Sequence, residues 1–224
     1  MSTAFSSFPF TYGFRRLIAN CVVLISSVAA PALAEPVTVP ILGDSLTAGY
    51  GLPAEDGLVP QLQAWLDAKA VDVKLVNAGV SGDTTAGGLG RLDWTMTPDA
   101  KALVVILGGN DMLRGIDPAS TRANLDAILG GARETGLPML LVGLTATTNY
   151  GPEFKINFDA IFEELSYKYD TFLVPSFFAP LLNDPKGMAA FMQADGIHPN
   201  ATGVKMIVEQ LGPVIKDLVS TVPR

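Results

Sequence analysis

Two stretches at opposite ends of the chain carry residues that could carry out acyl transfer together. Near the C-terminus, Asp195-Gly196-Ile197-His198-Pro199 holds the only histidine among 224 residues, with a carboxylate three positions before it. A histidine working as a general base needs a partner that orients the ring and fixes its tautomer. Asp195 meets that need if the intervening turn folds back. The base in turn needs a nucleophile, and Ser45 in Ile41-Leu42-Gly43-Asp44-Ser45-Leu46 sits on the turn after an apolar run. Two further small-residue stretches complete the set. In Asn77-Ala78-Gly79-Val80-Ser81-Gly82-Asp83-Thr84, Gly82 has no side chain to keep a substrate from its backbone N–H. In Gly108-Gly109-Asn110-Asp111, the Asn110 amide can donate to a developing oxyanion. Each stretch taken singly also reads as an ordinary turn: a lone histidine before proline as a surface loop, the glycines as βα-turn geometry, Asn and Asp as caps. The hydrolase reading rests on all four together.

The elements that must hold these residues alternate regularly. Apolar runs predict strands over Val37–Leu42, Val71–Val76, Leu103–Leu107, Met139–Leu144 and Thr171–Val174. Between them, amphipathic patterns predict helices over Gly57–Ala70, Thr84–Met96, Pro118–Thr135 and Glu153–Tyr169, with a last helix over Asn200–Val219. Pro175–Gln193 reads as irregular and apolar. Pro40 inside the first strand removes a ladder donor, so a local irregularity is expected there. Strands alternating with helices imply a parallel sheet covered on both faces, a three-layer α/β/α sandwich with the flavodoxin-like order 2-1-3-4-5. Ligands of such sheets bind at the carboxyl ends of the strands. Ser45 follows the first strand, Gly82 the second, Asn110 the third, and the Asp195/His198 loop the fifth, all at that edge.

Residues 1–34 read as a cleavable signal peptide: Arg15-Arg16, an apolar stretch from Leu17 to Ala30, and Pro31-Ala32-Leu33-Ala34 ending in a small-x-small pattern. The domain is then 35–224, 190 residues, a length suited to one core. The leader carries two arginines and no acids, so its removal takes the net charge from −7 to −9. An acidic chain without a basic cluster is a poor partner for nucleic acid. The only cysteine, Cys21, falls in the leader. The mature chain therefore has neither disulfides nor thiolate chemistry. An exported, periplasmic or secreted protein without stable membrane insertion after cleavage is expected.

Four motifs in order, GDSL at 43–46, VSGDT at 80–84, GGND at 108–111 and DGIHP at 195–199, resemble those of the SGNH, or GDSL, hydrolases across essentially the whole mature chain. The local style of GDSLTAGYG, GGNDMLRG and DGIHPN is similar to the periplasmic arylesterase, acyl-CoA thioesterase I and lysophospholipase branch. The resemblance implies a single α/β/α domain with no cofactor and no metal, acting on small-molecule esters or thioesters. It implies Ser45 as nucleophile, His198 as base, Asp195 as its orienter, and an oxyanion hole from the Ser45 and Gly82 N–H groups and the Asn110 amide. An O-acyl or acetyl transferase or a carbohydrate esterase on the same fold, and a non-catalytic flavodoxin-like module binding FMN or phosphate at the same edge, are the alternatives. Asp44 and Asp111 are expected to hold loops, and Trp65 and Trp94 to pack helices. Phe177–Leu182 and Met188–Met192 either line an acyl site or belong to the core. Asn200-Ala201-Thr202 matches a glycosylation sequon but opens a helix, where asparagine is a normal cap.

Overall fold

The computed structural model describes residues 35–223, together with Met1, Thr3, Ala4 and Ser7. The signal peptide expected over 1–34 otherwise lies outside the described residues. In chain order the elements are β1 (Val37–Gly43), α1 (Ser45–Ala48), a 3₁₀ turn (Ala54–Asp56), α2 (Leu58–Ala68), β2 (Val73–Gly79), α3 (Thr85–Gly90), α4 (Leu92–Thr95), β3 (Leu103–Ile106) and α5 (Gly109–Leu113). Then come α6 (Pro118–Glu134), β4 (Met139–Val142), α7 (Gly151–Tyr169), β5 (Phe172–Val174), α8 (Ala179–Leu182), a 3₁₀ turn (Met188–Phe191) and α9 (Ala201–Ser220). The five strands form one parallel sheet in the order β2-β1-β3-β4-β5. Helices α1, α2 and α9 pack on one another on one side, while α3, α6 and α7 associate on the other. This is the three-layer sandwich expected from the alternating pattern.

Burial follows position in the sheet. Every residue of β1, β3 and β4 is buried, as central parallel strands covered by helices require. The edge strand β2 has only Val73 buried, its other residues being half-buried or exposed. It also starts two residues later than expected and runs on to Gly79, because Asn77, Ala78 and Gly79 pair with Ile41, Leu42 and Gly43. A side chain at Gly79 would stand 2.4 Å from the backbone nitrogen of Ala48. The small residues that resemble a loop are thus what lets α1 lie against the end of the sheet.

Pro40 produces the irregularity its chemistry demands. The Thr38 carbonyl faces β3 and accepts from Lys101 N at 2.9 Å, so the two-residue period turns Pro40 to the same side. There the β1–β3 ladder is interrupted: a single bridge joins Thr38 to Ala100, and regular pairing starts only at Ile41 with Val104. Toward β2, the register continues unbroken through Pro40 and Val76.

The helix expected over Thr84–Met96 is two helices, broken at Arg91. Three glycines weaken the segment, and the Arg91 guanidinium reaches back into the site, as described below. The break leaves α4 a single turn whose buried residues are Leu92 and Thr95. Trp94, expected to pack a helix, points outward and is 87% exposed. Trp65 does pack: its indole N–H donates to Glu209 at 3.0 Å, and its ring lies where a side chain at Gly212 of α9 would go. Asn200 caps α9, accepting from the backbone N–H groups of Thr202 and Gly203 at 3.0 Å each, while its amide donates to the Ala190 and Met192 carbonyls. With both ends of its side chain so engaged, Asn200 serves as a cap.

Candidate active site

The geometry begins where β1 ends. Gly43 has no side chain because Thr47 occupies the space: an added Cβ would stand 1.9 Å from Thr47 Oγ1. The chain turns at Asp44, whose Oδ1 accepts from Leu46 N at 3.0 Å and so starts α1. Ser45 is the first helical residue, and its N–H heads the helix, where no intrahelical acceptor exists.

Far along the chain, residues 192–199 form a tight loop closed by the antiparallel bridge between Met192 and Pro199. Within it, Gly196 takes φ +67°, a left-handed conformation that suits glycine. The loop folds back as the spacing requires. Asp195 Oδ1 accepts from Ile197 N at 2.9 Å and His198 N at 3.1 Å, and Oδ2 meets His198 Nδ1 at 2.7 Å. The other ring nitrogen, Nε2, lies 2.8 Å from Ser45 Oγ. The hydrogen bond from His198, with the two backbone donors, holds the Asp195 carboxyl down at about 2. It is therefore ionised wherever the imidazole is functional.

Asn110 lies in the first turn of α5, directly after β3, and donates from Nδ2 to Asp44 Oδ2 at 3.4 Å. Gly82 takes φ +85° in the loop after β2, and its carbonyl accepts from Arg114 Nη2 at 2.8 Å. Asp111 is fully buried and ties α5 to neighbouring helices, accepting from Thr85 N at 2.8 Å, Thr85 Oγ1 at 2.5 Å and Thr121 Oγ1 at 3.3 Å. All the singled-out residues follow strand ends at one edge of the sheet. Ser45, Asn110 and His198 line a common cleft of about 330 Å³; Gly82 does not line it.

The cleft wall is largely apolar. Met112, Leu144, Phe178, Leu182 and Met188 contribute to it, with Thr145–Thr147 from the loop after β4. The apolar segment before the catalytic loop therefore divides: Phe178, Leu182 and Met188 face the cleft, while Phe177, Leu181 and Phe191 are core.

Two residues under the site had no distinctive spacing in the sequence. Arg91 donates from Nε to Asp83 at 2.6 Å, from Nη1 to the Ala78 carbonyl at 2.6 Å and from Nη2 to the Gly43 carbonyl at 2.7 Å. One planar guanidinium thus pins the ends of β1 and β2 and the Gly82 loop, a task for which a lysine lacks the donor fork. Gln193 is the other, and it is taken up below.

Asp44 is 2% exposed. Burial pushes its carboxyl up to about 6, against the smaller opposing effects of the Leu46 N–H, His198 and the Asn110 amide. A raised carboxyl means that the folded state holds this proton more tightly than the unfolded state does. Stability from this group is greatest below pH 3.8 and is lost as pH rises toward 6. Above that, the buried charge costs about 3 kcal/mol. Asp44→Asn keeps an acceptor for Leu46 N but sets an NH₂ against Asn110. It should raise Tm at pH 8 more than at pH 5 while lowering kcat by roughly 10- to 100-fold, short of losing an oxyanion donor outright. Thermal melts at the two pH values with parallel kinetics check both halves; a lower Tm at pH 8 would refute the first.

Known proteins resemble this chain in sequence and in fold. Residues 41–206 match the GDSL-like lipase/acylhydrolase family. Esterase TesA of Pseudomonas aeruginosa is 38% identical over 203 residues, spanning 90% of this chain and 98% of the relative. Thioesterase 1/protease 1/lysophospholipase L1 of Escherichia coli K12 is 34% identical over 184 residues, 82% of this chain and 85% of the relative. The crystal structure of the psychrotrophic esterase EstA from Pseudoalteromonas sp., inhibited by monoethylphosphonate, superposes with a TM-score of 0.75 at 31% identity, over 82% of this chain and 99% of that one. The flavin- or phosphate-binding alternative gives way to these hydrolases, and the chain belongs to the GDSL-like lipase/acylhydrolase family as a serine hydrolase of ester bonds.

Proposed function

We propose that this ester hydrolase works through an acyl-serine intermediate, with Ser45 as nucleophile, His198 as general base and Asp195 as the group that orients it. The observation that carries the reading is the continuous path from Asp195 Oδ2 to His198 Nδ1 at 2.7 Å and from His198 Nε2 to Ser45 Oγ at 2.8 Å. Asp195, ionised, fixes the proton on Nδ1, which leaves Nε2 free to accept from the Ser45 hydroxyl. As Ser45 Oγ attacks the ester carbonyl, its proton passes to Nε2. The C–O or C–S bond then breaks as the imidazolium returns the proton to the leaving alcohol or thiol. Water, deprotonated by His198, attacks the acyl-serine in the second step and releases the acid.

The oxyanion of each tetrahedral intermediate is held by the Ser45 N–H and the Asn110 amide, both at the cleft; the Gly82 N–H, on the loop after β2, is the third donor that the motif resemblance implies. The Ser45 N–H comes from the head of α1, and Asn110 lines the cleft with its amide donating to Asp44 Oδ2. Asn110→Ala should lower kcat by roughly 10²–10³ with little change in KM, the scale of one lost side-chain oxyanion donor. A change chiefly in KM would assign Asn110 to ground-state substrate binding instead.

The apolar cleft receives the acyl chain of a small ester or thioester, and its 330 Å³ favours short to medium chains over emulsified triglyceride. A panel of p-nitrophenyl esters, acyl-CoAs and lysophospholipids, run with and without an alcohol acceptor, tests substrate class and separates hydrolysis from transfer. Rapid turnover of long-chain triglyceride would contradict the chain-length reading. Export to the periplasm, with cleavage after Ala34, is supported by the basic–apolar–small pattern of residues 15–34. Among the described residues, no helix is long and apolar enough to cross a membrane. Mass spectrometry of the exported protein tests the cleavage point.

A further inference from the structure

Residues 153 positions apart make the Ser45–His198 contact, and each sits on its own loop. Asp195 is no help in closing that gap, because it rides on the same loop as His198. Something must set the distance between the two loops, since misplacing a base by an ångström costs roughly 10²-fold in rate.

The side chain placed to do so is Gln193. Its Nε2 donates to the Tyr50 carbonyl at 2.8 Å and to the Pro199 carbonyl at 3.0 Å. The first acceptor belongs to the serine side: Tyr50 N donates to the Ser45 carbonyl at 3.1 Å, one turn beyond the nucleophile. The second belongs to the histidine side, the residue next to His198. Both partners are acceptors, so the NH₂ end of the amide is fixed in that place, and its two hydrogens match two carbonyls. The backbone of Gln193 is tied into the same loop, its N–H donating to the His198 carbonyl at 2.8 Å and its carbonyl accepting from Gly196 N at 3.0 Å. The serine side leaves room for the amide, since a Cβ on Gly51 would stand 2.2 Å from Gln193 Oε1, and Gly51 has φ +75°. Among the described residues, Gln193–Tyr50 is the only hydrogen bond joining the two loops apart from Ser45–His198 itself. The same junction sets the Tyr50 ring against the His198 ring, with centroids 4.6 Å apart.

We infer that Gln193 is a positioning residue of the triad: its carboxamide staples the histidine loop to the serine turn and so sets the Ser45–His198 distance. The inference rests on the proposed roles of Ser45 and His198. It does not make Gln193 a catalytic residue, because its amide is occupied by two protein carbonyls and does not touch the reacting atoms.

Methionine matches glutamine in length and lacks both donors. Gln193→Met should lower kcat by roughly 10- to 100-fold while KM and Tm stay close to wild type. The distinguishing readout is the same substitution in a His198→Ala background. If Gln193 acts through His198, it should change the residual hydrolysis there by less than about twofold, since neighbouring groups acting as one unit do not add. The solitary histidine supplies a second readout. In ¹⁵N-histidine-labelled Gln193→Met, the Nδ1–H resonance bonded to Asp195 should persist, because that pair lies within one loop, while phosphonylation of Ser45 slows. Unchanged kcat in Gln193→Met, or an equal loss in both backgrounds, overturns the inference. So does disappearance of the Nδ1–H signal, which would mean that Gln193 holds the loop's fold and not its position. Failure of the underlying triad is separately visible, as full activity in His198→Ala alone.

Discussion

Ser45→Ala should leave a folded protein with almost no esterase activity, kcat falling by roughly 10⁵–10⁶. The size of the loss follows from the proposed covalent step, since alanine removes the only atom that can form the acyl-enzyme. What remains, the oxyanion donors and the cleft, stabilises attack by water alone. The fold should not notice. The Ser45 hydroxyl makes its hydrogen bond to His198 Nε2, whereas the turn around it is held by Asp44 Oδ1 on Leu46 N and by Tyr50 N on the Ser45 carbonyl. None of those bonds uses the Ser45 side chain, so Tm should move by no more than a degree or two. A phosphonylating reagent should label wild type once, at Ser45, and should not label the variant. Retention of more than a few per cent of wild-type kcat would remove Ser45 from the role.

How far the sequence discloses such a site depends on whether the chemistry is local. The Asp195–His198 pair is legible because two intervening residues, one of them glycine, allow only a short turn, and the structure closes it with two backbone N–H groups on Asp195. The sheet order is legible because β3 and β4 are unbroken apolar runs and the helices between them have clear starts, such as Asp117, whose side chain accepts from Ala119 N. Element ends are less legible where small residues serve packing. Asn77-Ala78-Gly79 looks like a loop and is strand, because α1 must approach it closely. Long-range side-chain bonds leave almost no trace. Arg91 is one cation after a glycine-rich helix, yet its three partners come from β1, β2 and the Gly82 loop. Gln193 bonds across 143 positions to a backbone carbonyl, and a carbonyl has no residue type to read. Asp44 was legible as a loop-holding residue, but its raised carboxyl comes from burial, which only the packed structure supplies.

Asp195→Asn should cost about 10⁴ in kcat without unfolding the protein, and the geometry explains why. Asparagine can keep its Oδ1 where the carboxylate accepts from Ile197 N and His198 N. That choice turns its NH₂ toward His198 Nδ1, which must then accept. The imidazole proton is driven to Nε2, where it points at Ser45 Oγ and cannot take the serine proton. Turning the amide over restores the tautomer only by setting the NH₂ against two backbone N–H donors. The first orientation forfeits catalysis and the second is disfavoured by that donor–donor clash, while the loop retains its Met192–Pro199 bridge. Only the neutral His198 ring can serve as base, so kcat/KM should rise with pH. Asp195, held down at about 2, keeps its charge far below neutrality, whereas Asp44 is raised to about 6. Asp44→Asn should therefore remove one ionisation near 6 from the profile. Diethyl pyrocarbonate gives the complementary test on a chain with one histidine. Inactivation should follow acylation of one imidazole, a reversibly bound ester analogue should protect, and hydroxylamine should restore activity. Full activity after complete modification of His198, verified by mass spectrometry, would sink the mechanism.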